Sequence, residues 1–147
     1  MGYTNYHYQK ENFNDHEWKY IQDHKKKIMQ HLNYIEIEED TSDNDTISLN
    51  GVGENSHETF IISKEKRELD SWEKKDSWIV ENYKENGAFR FCKTNRKPYD
   101  KIVWNILLVA YESAPHKIRI ENDNGERHGS YTPVGQHFNY IKITVKE

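Results

Sequence analysis

One strongly hydrophobic segment constrains the fold of this chain more than any other part of the sequence. From Tyr99 to Ala110, apolar residues recur at every third or fourth position, which is the spacing of one face of an α-helix. Apolar residues also fill much of the opposite face, so we expect this helix to be covered on more than one side. Pro98 suits the first helical position, and Pro115 ends the helix. The segment predicts a central buried helix over about residues 97–113.

The rest of the chain predicts one further helix and a series of short strands. Asn14 followed by Glu17 is the pattern of a capping box, and the apolar positions after it predict an amphipathic helix over about residues 15–33. Alternating apolar and polar residues predict half-exposed strands, and the Asn-Gly pairs at 86–87 and 124–125 predict hairpin turns. Strands are expected at 34–38, 47–49, 59–63, 77–83, 88–93, 117–121, 126–131 and 138–145.

These elements together predict an α+β fold. A mainly antiparallel, hairpin-built sheet is expected to pack on the central helix, with the amphipathic helix beside it. A chain of 147 residues has the size of one domain, and it shows no internal repeat or linker. Residues 1–13 carry aromatic side chains without a clear period, so we expect an irregular arm there. The single α+β domain is then expected to occupy residues 14–147.

Composition and charge exclude several classes of protein. One cysteine, Cys92, rules out an internal disulfide framework. No run approaches the roughly 18 apolar residues of a membrane span, and the first residues lack the apolar part of a signal peptide. We therefore expect a cytoplasmic protein with no membrane partner.

The net charge of −4 conceals two regions of opposite sign. Eight acidic residues and no Lys or Arg lie between Glu36 and Glu58, whereas six basic residues lie between Lys84 and Lys101. An acidic chain with one basic region argues against binding along extended nucleic acid, which needs a broad positive surface. It is compatible with a compact anion site, or with two ordinary solvated surfaces.

The basic turn before the central helix is the first candidate for a ligand site. The N-terminus of a helix offers unpaired N–H groups and a partial positive charge, both of which favour anions. The turn provides cations and polar side chains at this position, so a nucleotide or another phosphate compound would suit it. Thr94 and Asn95 alternatively only cap the turn. The predicted ligand-binding residues are Lys93, Thr94, Arg96 and Lys97, with Arg90 and Tyr99 in support.

Other side chains give weaker indications of chemistry. The eight histidines lack the spacing of metal ligands, so we predict no metal and no cofactor. Cys92 lies beside Lys93 near a helix start, where a thiol pKa is often lowered, but a cysteine in this pattern also packs in a sheet. No residue is selected as catalytic. Five aromatic residues either stack on a base or belong to the core: Trp72, Trp78, Tyr83, Tyr99 and Tyr131.

The block FCKTNRKPYD and the apolar helix after it resemble a segment of small proteins from tailed bacteriophages and prophages. The resemblance covers Phe91 to Leu108. It implies a phage-borne accessory protein that would act in the host cytoplasm, and it carries over no activity to particular residues.

Three functional hypotheses follow from the sequence. The first is a non-enzymatic accessory protein that binds a small anionic ligand at the basic turn and counters a host defence. The second is a protein–protein inhibitor that contacts a host protein through the acidic residues 36–58 or through the Tyr-rich N-terminal arm. The third is a phosphoester hydrolase, which would need a divalent ion. A homo-oligomer is open under each of them.

Overall fold

The computed structural model of the chain describes residues 2–129, and in that range it confirms the α+β class. Three α-helices and two antiparallel sheets share one hydrophobic core. Two single turns of 3₁₀-helix, Gly53–Asn55 and Glu73–Lys75, lie in the connections. The elements in chain order are β1 (Thr4–Gln9), α1 (Asp15–His31), β2 (Glu38–Asp40), β3 (Thr46–Asn50), β4 (Phe60–Ser63), α2 (Ser77–Asn86), β5 (Ala88–Lys93), α3 (Asp100–Ser113), β6 (Ile118–Asn122) and β7 (Arg127–His128).

Helix α3 is the central buried element, as the sequence predicts. Its residues are buried on several sides, including Ile102, Ile106 and Leu107, and it packs against α1 and the strands β1 and β6. The helix begins at Asp100, so Pro98 lies in the turn before it rather than at the first helical position. Helix α1 has the predicted capping box, in which Asn14 and Glu17 each accept a hydrogen bond from the backbone N–H of the other.

The N-terminal residues correct one prediction. They contain β1, which lies between β5 and β6 in a sheet of order β5-β1-β6-β7, so 1–13 is not simply an irregular arm. The buried side of β1 carries the polar residues Asn5, His7 and Gln9, whereas Tyr6 and Tyr8 are only half-buried. The usual alternation of apolar and polar residues is therefore inverted, and the sequence pattern gave no sign of a strand.

The segment 77–83 corrects a second prediction, because it forms helix α2 rather than a strand. The Asp76 side chain caps this helix by accepting hydrogen bonds from the N–H groups of Trp78 and Ile79. Gly87 ends it with φ 94° and ψ −169°, a backbone conformation that is essentially restricted to glycine. The Asn86-Gly87 pair therefore marks a helix end and not a hairpin turn.

The other predicted strands have mixed outcomes. The predictions at 47–49, 59–63, 88–93 and 117–121 are confirmed within a residue or two. The strand predicted at 34–38 is short and displaced to Glu38–Asp40, in the second sheet of order β2-β3-β4. Only Arg127–His128 of the segment 126–131 is a described strand, and 138–145 lies outside the described residues. Within residues 2–129, no helix has the length and apolarity needed to cross a membrane.

We predict that Gly87→Ala destabilises the protein by at least about 2 kcal/mol, because a residue with a side chain is strained in this conformation. A Cβ atom at this position would also lie 2.4 Å from the Gln9 carbonyl oxygen. Gly125→Ala is the matched control, since Gly125 also has a positive φ of 85° but a Cβ atom added there would meet no other atom within 4 Å. Urea unfolding of both variants measures the difference, and equal losses of stability would contradict the prediction.

Candidate functional site

The basic turn between β5 and α3 is held by hydrogen bonds within the protein. The hydroxyl of Thr94, which is fully buried, donates to Asp100 Oδ1 at 2.5 Å, and Asn5 Nδ2 donates to the same oxygen at 2.7 Å. The backbone N–H groups of Thr94 and Asn95 both donate to the Tyr3 carbonyl oxygen. Thr94 and Asp100 therefore connect β1 to the start of α3.

The remaining residues of the turn do not all lie together. Tyr99 is fully buried and its hydroxyl donates to the Glu58 carbonyl oxygen at 2.5 Å. The exposed Arg96 has a left-handed φ of 58°, and its guanidinium carbon lies 4.2 Å from the centre of the Tyr3 ring. Lys93 is exposed; its carbonyl oxygen accepts from the Glu58 N–H, and its N–H donates to the Glu58 carboxylate. Lys97 is half-buried. Two of the six predicted binding residues, Thr94 and Tyr99, are thus buried groups with partners in the protein.

Arg90 lies apart from the turn, in a pocket between the two sheets that we call the inter-sheet pocket. Its volume is about 380 Å³. It opens between β4 and β5, which are the neighbouring edge strands of the two sheets. The residues that line it are Thr59, Ile61, Arg67, Glu73, Phe89, Arg90 and Phe91.

Arg67 and Glu73 form a closed ion pair on one wall of this pocket. The guanidinium donates to both carboxylate oxygens, at 2.9 and 3.0 Å, and its Nε donates to the Phe89 carbonyl oxygen at 3.1 Å. The backbone N–H of Asp70 also donates to Glu73. Arg67 first, and then this N–H, lower the pKa of Glu73 from an ordinary 4.5 to about 2. The positive charge of Arg67 is therefore compensated inside the pocket.

Arg90 has no such compensation. It is half-buried, and among residues 2–129 its side chain has no hydrogen-bond or ion-pair partner. Burial, and next the charge of Arg67, lower the pKa of Arg90 from its ordinary value. His7 lies opposite Arg90 in the register of β1 and β5, and burial followed by the charge of Arg90 lowers its pKa to about 3. His7 is therefore neutral at physiological pH, and the charges of Arg67, Glu73 and Arg90 sum to one positive charge.

Other regions that the sequence singled out are engaged in local structure. In the acidic region, Glu39 pairs with Lys25 at 2.5 Å, and Asp40 and Asp43 accept hydrogen bonds from turn N–H groups two residues ahead. Cys92 is buried, and burial raises the pKa of its thiol to about 12, so it is not an activated nucleophile.

The predicted aromatic residues are also separated. Trp72 and Trp78 are exposed, at 65% and 73%, whereas Tyr83 is half-buried and donates to the Arg67 carbonyl oxygen. Tyr131 lies outside the described residues. In the part of the chain that the structure describes, no group of three His, Cys, Asp or Glu side chains is arranged to hold a metal ion.

Comparisons of the chain with protein-family models, curated proteins and solved structures gave no match. The sequence identified Arg90 as a supporting residue but missed Thr59, Arg67 and Glu73, which complete the pocket. Arg67 and Glu73 lie in a segment without a clear period, whereas Thr59 begins a predicted strand. Only the packing of the two sheets brings these three residues to Arg90. Nothing in the local sequence around Arg67 or Glu73 indicated the site.

We predict that Thr94→Val lowers the free energy of unfolding by about 1.5–3 kcal/mol, the range for a hydrogen bond to a charged group. The substitution preserves the shape of the side chain but removes the hydrogen bond to Asp100. Thr41→Val is the control, since Thr41 is exposed. Equal stability of the two variants by urea unfolding would contradict a structural role for Thr94.

We also predict that the stabilising contribution of Glu73 is lost as the pH falls from 4.5 to about 2. The unfolded chain takes up a proton on Glu73 near pH 4.5, whereas the folded chain does so only near pH 2. The contribution is therefore complete above pH 4.5 and is lost during acidification. Glu73→Gln should weaken the acid dependence of urea unfolding, and the exposed control Glu81→Gln should leave it unchanged. An unchanged acid dependence in Glu73→Gln would show this account to be wrong.

Proposed function

We propose that this chain is a non-enzymatic binding protein whose ligand presents an anionic group, a carboxylate or a phosphate, to Arg90 in the inter-sheet pocket. One observation carries the proposal. Arg90 is half-buried next to a second arginine and has no partner among the described residues. A cation that is partly removed from water without a partner is unfavourable, and a bound anion would remove that cost.

The chemistry of the pocket supports an anion over other ligands. A guanidinium group donates two parallel hydrogen bonds to a carboxylate or a phosphate, and such bonds are stronger than those between neutral groups. The side chains of Phe89, Phe91 and Ile61 add apolar surface beside the charge. Phe91 is 51% exposed, so this surface is accessible from outside. Apolar walls with a few oriented polar groups are typical of ligand pockets.

The same pocket gives little support for catalysis. Glu73 provides the carboxylate among the residues that line the pocket. It is a weak base, because its two oxygens accept hydrogen bonds from Arg67 and its pKa is lowered. Thr59 provides a hydroxyl group in the lining, and this hydroxyl accepts a hydrogen bond from the Asn50 side chain. No histidine or cysteine is among the lining residues. We therefore favour binding without turnover.

The proposal moves the centre of the predicted site from the basic turn to Arg90. Thr94 and Tyr99 are engaged with Asp100 and Glu58, so they have little capacity left for a ligand. The phosphate and nucleotide classes stay predictions, and they are included among the ligands to be tested.

We predict that inorganic phosphate, adenosine monophosphate or glutarate raises the melting temperature of the wild-type chain. Arg90→Met should abolish the increase, because it retains an apolar stem but removes the charge. Arg96→Met separates the two locations, since Arg96 belongs to the turn and not to the lining of the inter-sheet pocket. Lys84→Met is the control for the loss of one positive charge, because the Lys84 side chain is exposed.

The proposal predicts that both Arg96→Met and Lys84→Met keep the increase in melting temperature. It is contradicted if none of the three anions stabilises the wild-type chain at low salt. It is also contradicted if Arg96→Met abolishes the increase and Arg90→Met retains it, which would return the site to the basic turn.

A further inference from the structure

We infer that the outer face of the β5-β1-β6-β7 sheet binds a short segment of single-stranded RNA by stacking unpaired bases on aromatic rings. These rings belong to two neighbouring strands, and we call them the aromatic platform: Tyr6, Tyr8, Phe89 and Phe91. The inference goes beyond the proposed function, because the platform is the face of the sheet and Arg90 lies in the pocket at its edge. Phe89 and Phe91 border both sites.

The strand register places the four rings side by side. Strands β1 and β5 are antiparallel neighbours, with Tyr6 opposite Phe91 and Tyr8 opposite Phe89. Because side chains alternate along a strand, all four project to the same face of the sheet. The opposite face of β1 carries Asn5, whose side chain donates to the start of α3. The platform therefore lies on the side of the sheet that faces away from the buried helix.

Contacts among the rings fix their positions. The centre of the Phe89 ring lies 4.9 Å from that of Tyr8 and 5.9 Å from that of Phe91. It lies 6.2 Å from the Tyr6 ring, whose hydroxyl donates to Asp123 Oδ1 at 2.8 Å. Phe91 is 51% exposed, and the other three rings are half-buried. Rings that are held in place but accessible lose little conformational freedom when a ligand binds.

The spacing of the rings favours a single strand over a duplex. Bases stacked in a duplex are about 3.4 Å apart, whereas the Phe89 and Phe91 ring centres are 5.9 Å apart. Two neighbouring bases can therefore stack on these rings only if they are not stacked on each other. Unpaired segments of RNA present such bases, and stacking on aromatic side chains of a sheet is an established mode of their recognition.

The charge of this face complements phosphate groups. Among its strand residues, three cations accompany the rings and one carboxylate opposes them: Lys93, Arg119, Arg127 and Glu121. The Arg119 guanidinium carbon lies 4.1 Å from the centre of the Tyr8 ring. Arg96 and Asp123, in the loops at one end of the sheet, add one charge of each sign. The face is thus locally positive in a chain of net charge −4, which suffices for a few phosphates but not for extended nucleic acid.

The single carboxylate favours RNA over DNA. Glu121 lies opposite Tyr6 in the register of β1 and β6, so it borders the platform. A carboxylate repels a phosphate but accepts a hydrogen bond from a hydroxyl group. The 2′-hydroxyl is the group that distinguishes RNA from DNA at a binding site. A ribose beside Tyr6 would satisfy Glu121, whereas a deoxyribose would leave it without this contact.

The cations also argue against a second copy of the chain as the occupant of the platform. A symmetric dimer places the same surface of both subunits in contact. Two such faces would bring together the same three cations: Lys93, Arg119 and Arg127. Like charges in contact oppose association, whereas RNA phosphates neutralise them.

The test measures the fluorescence anisotropy of labelled octauridylate with the full chain at low salt. Phe91→Leu and Tyr8→Leu should each weaken binding at least about fivefold, or about 1 kcal/mol, because each removes a ring but retains an apolar side chain. Tyr8→Phe keeps the ring and should bind as the wild-type chain does. Tyr34→Leu is the matched control, since Tyr34 is 65% exposed but lies outside both sheets. It should leave binding unchanged.

Three further arms test the kind of nucleic acid and the role of charge. Lys93→Met should reduce the slope of log affinity against log salt by about 0.7, because one phosphate contact is lost. Octadeoxyuridylate lacks only the 2′-hydroxyl groups, and it should bind about two- to tenfold more weakly. A stable RNA duplex should not displace octauridylate at an equal concentration of phosphate, since its bases are stacked on one another.

The inference is wrong if octauridylate does not bind, or if Phe91→Leu and Tyr8→Leu both bind it as tightly as the wild-type chain. It is also wrong if the duplex competes equally, which would mean that phosphates alone are recognised. Equal affinity for octadeoxyuridylate would overturn the assignment to RNA. A dimer that Tyr8→Leu dissociates, together with no RNA binding, would assign the platform to a second copy.

The outcomes separate this inference from the proposed function. If Arg90→Met abolishes RNA binding and Tyr8→Leu retains it, the platform is wrong and the anion site at Arg90 stands. Tyr8 does not line the inter-sheet pocket, so its variant tests the platform alone. If no small anion stabilises the chain but Tyr8→Leu and Phe91→Leu lose RNA binding, the proposed function is wrong and the platform stands.

Discussion

Burial of helix α3 is the constraint on which the rest of the structure depends. Its side chains are buried on several sides, so no single layer covers it. Helix α1 and the β5-β1-β6-β7 sheet pack against it, and apolar residues of β3 and β4, such as Ile47 and Phe60, belong to the same core. Because two separate sheets meet this core, their edge strands β4 and β5 become neighbours without forming a continuous ladder. The inter-sheet pocket is the consequence.

The charges at this junction differ in how well they are compensated. Arg67 is bound to Glu73 through two hydrogen bonds and also holds the Phe89 carbonyl oxygen, so it closes part of the edge. The charge of Arg67 lowers the pKa of Arg90, and the charge of Arg90 lowers the pKa of His7, in each case after burial. Arg90 nevertheless has no partner of its own in the described residues. A protein that needed only a closed junction would be better served by an apolar residue at this position. The unpaired cation therefore distinguishes this junction from simple packing.

The sequence predicted the elements that local residue patterns specify. It did not predict the elements whose structure depends on contacts between residues far apart in the chain. The capping box of Asn14 and Glu17 and the apolar period of α3 located both long helices. The sequence pattern gave no sign of β1, because its buried side is polar. On that side the Asn5 and Gln9 side chains donate hydrogen bonds to the start of α3 and to the end of β4. The sequence pattern also assigned α2 to a strand, since an Asn-Gly pair can end a helix as well as form a hairpin. The pocket combines residues from three separate segments, so only the strand topology could bring Arg67, Glu73 and Arg90 together.

The most direct measurement of the central claim is the stability of Arg90→Met in a buffer of low salt without multivalent anions. If Arg90 is an uncompensated cation kept for a ligand, urea unfolding should show that the variant is as stable as the wild-type chain or more stable. Methionine fills similar space without a charge to desolvate. A loss of more than about 1 kcal/mol would contradict the account, because it would mean that Arg90 has a structural role in the unliganded protein.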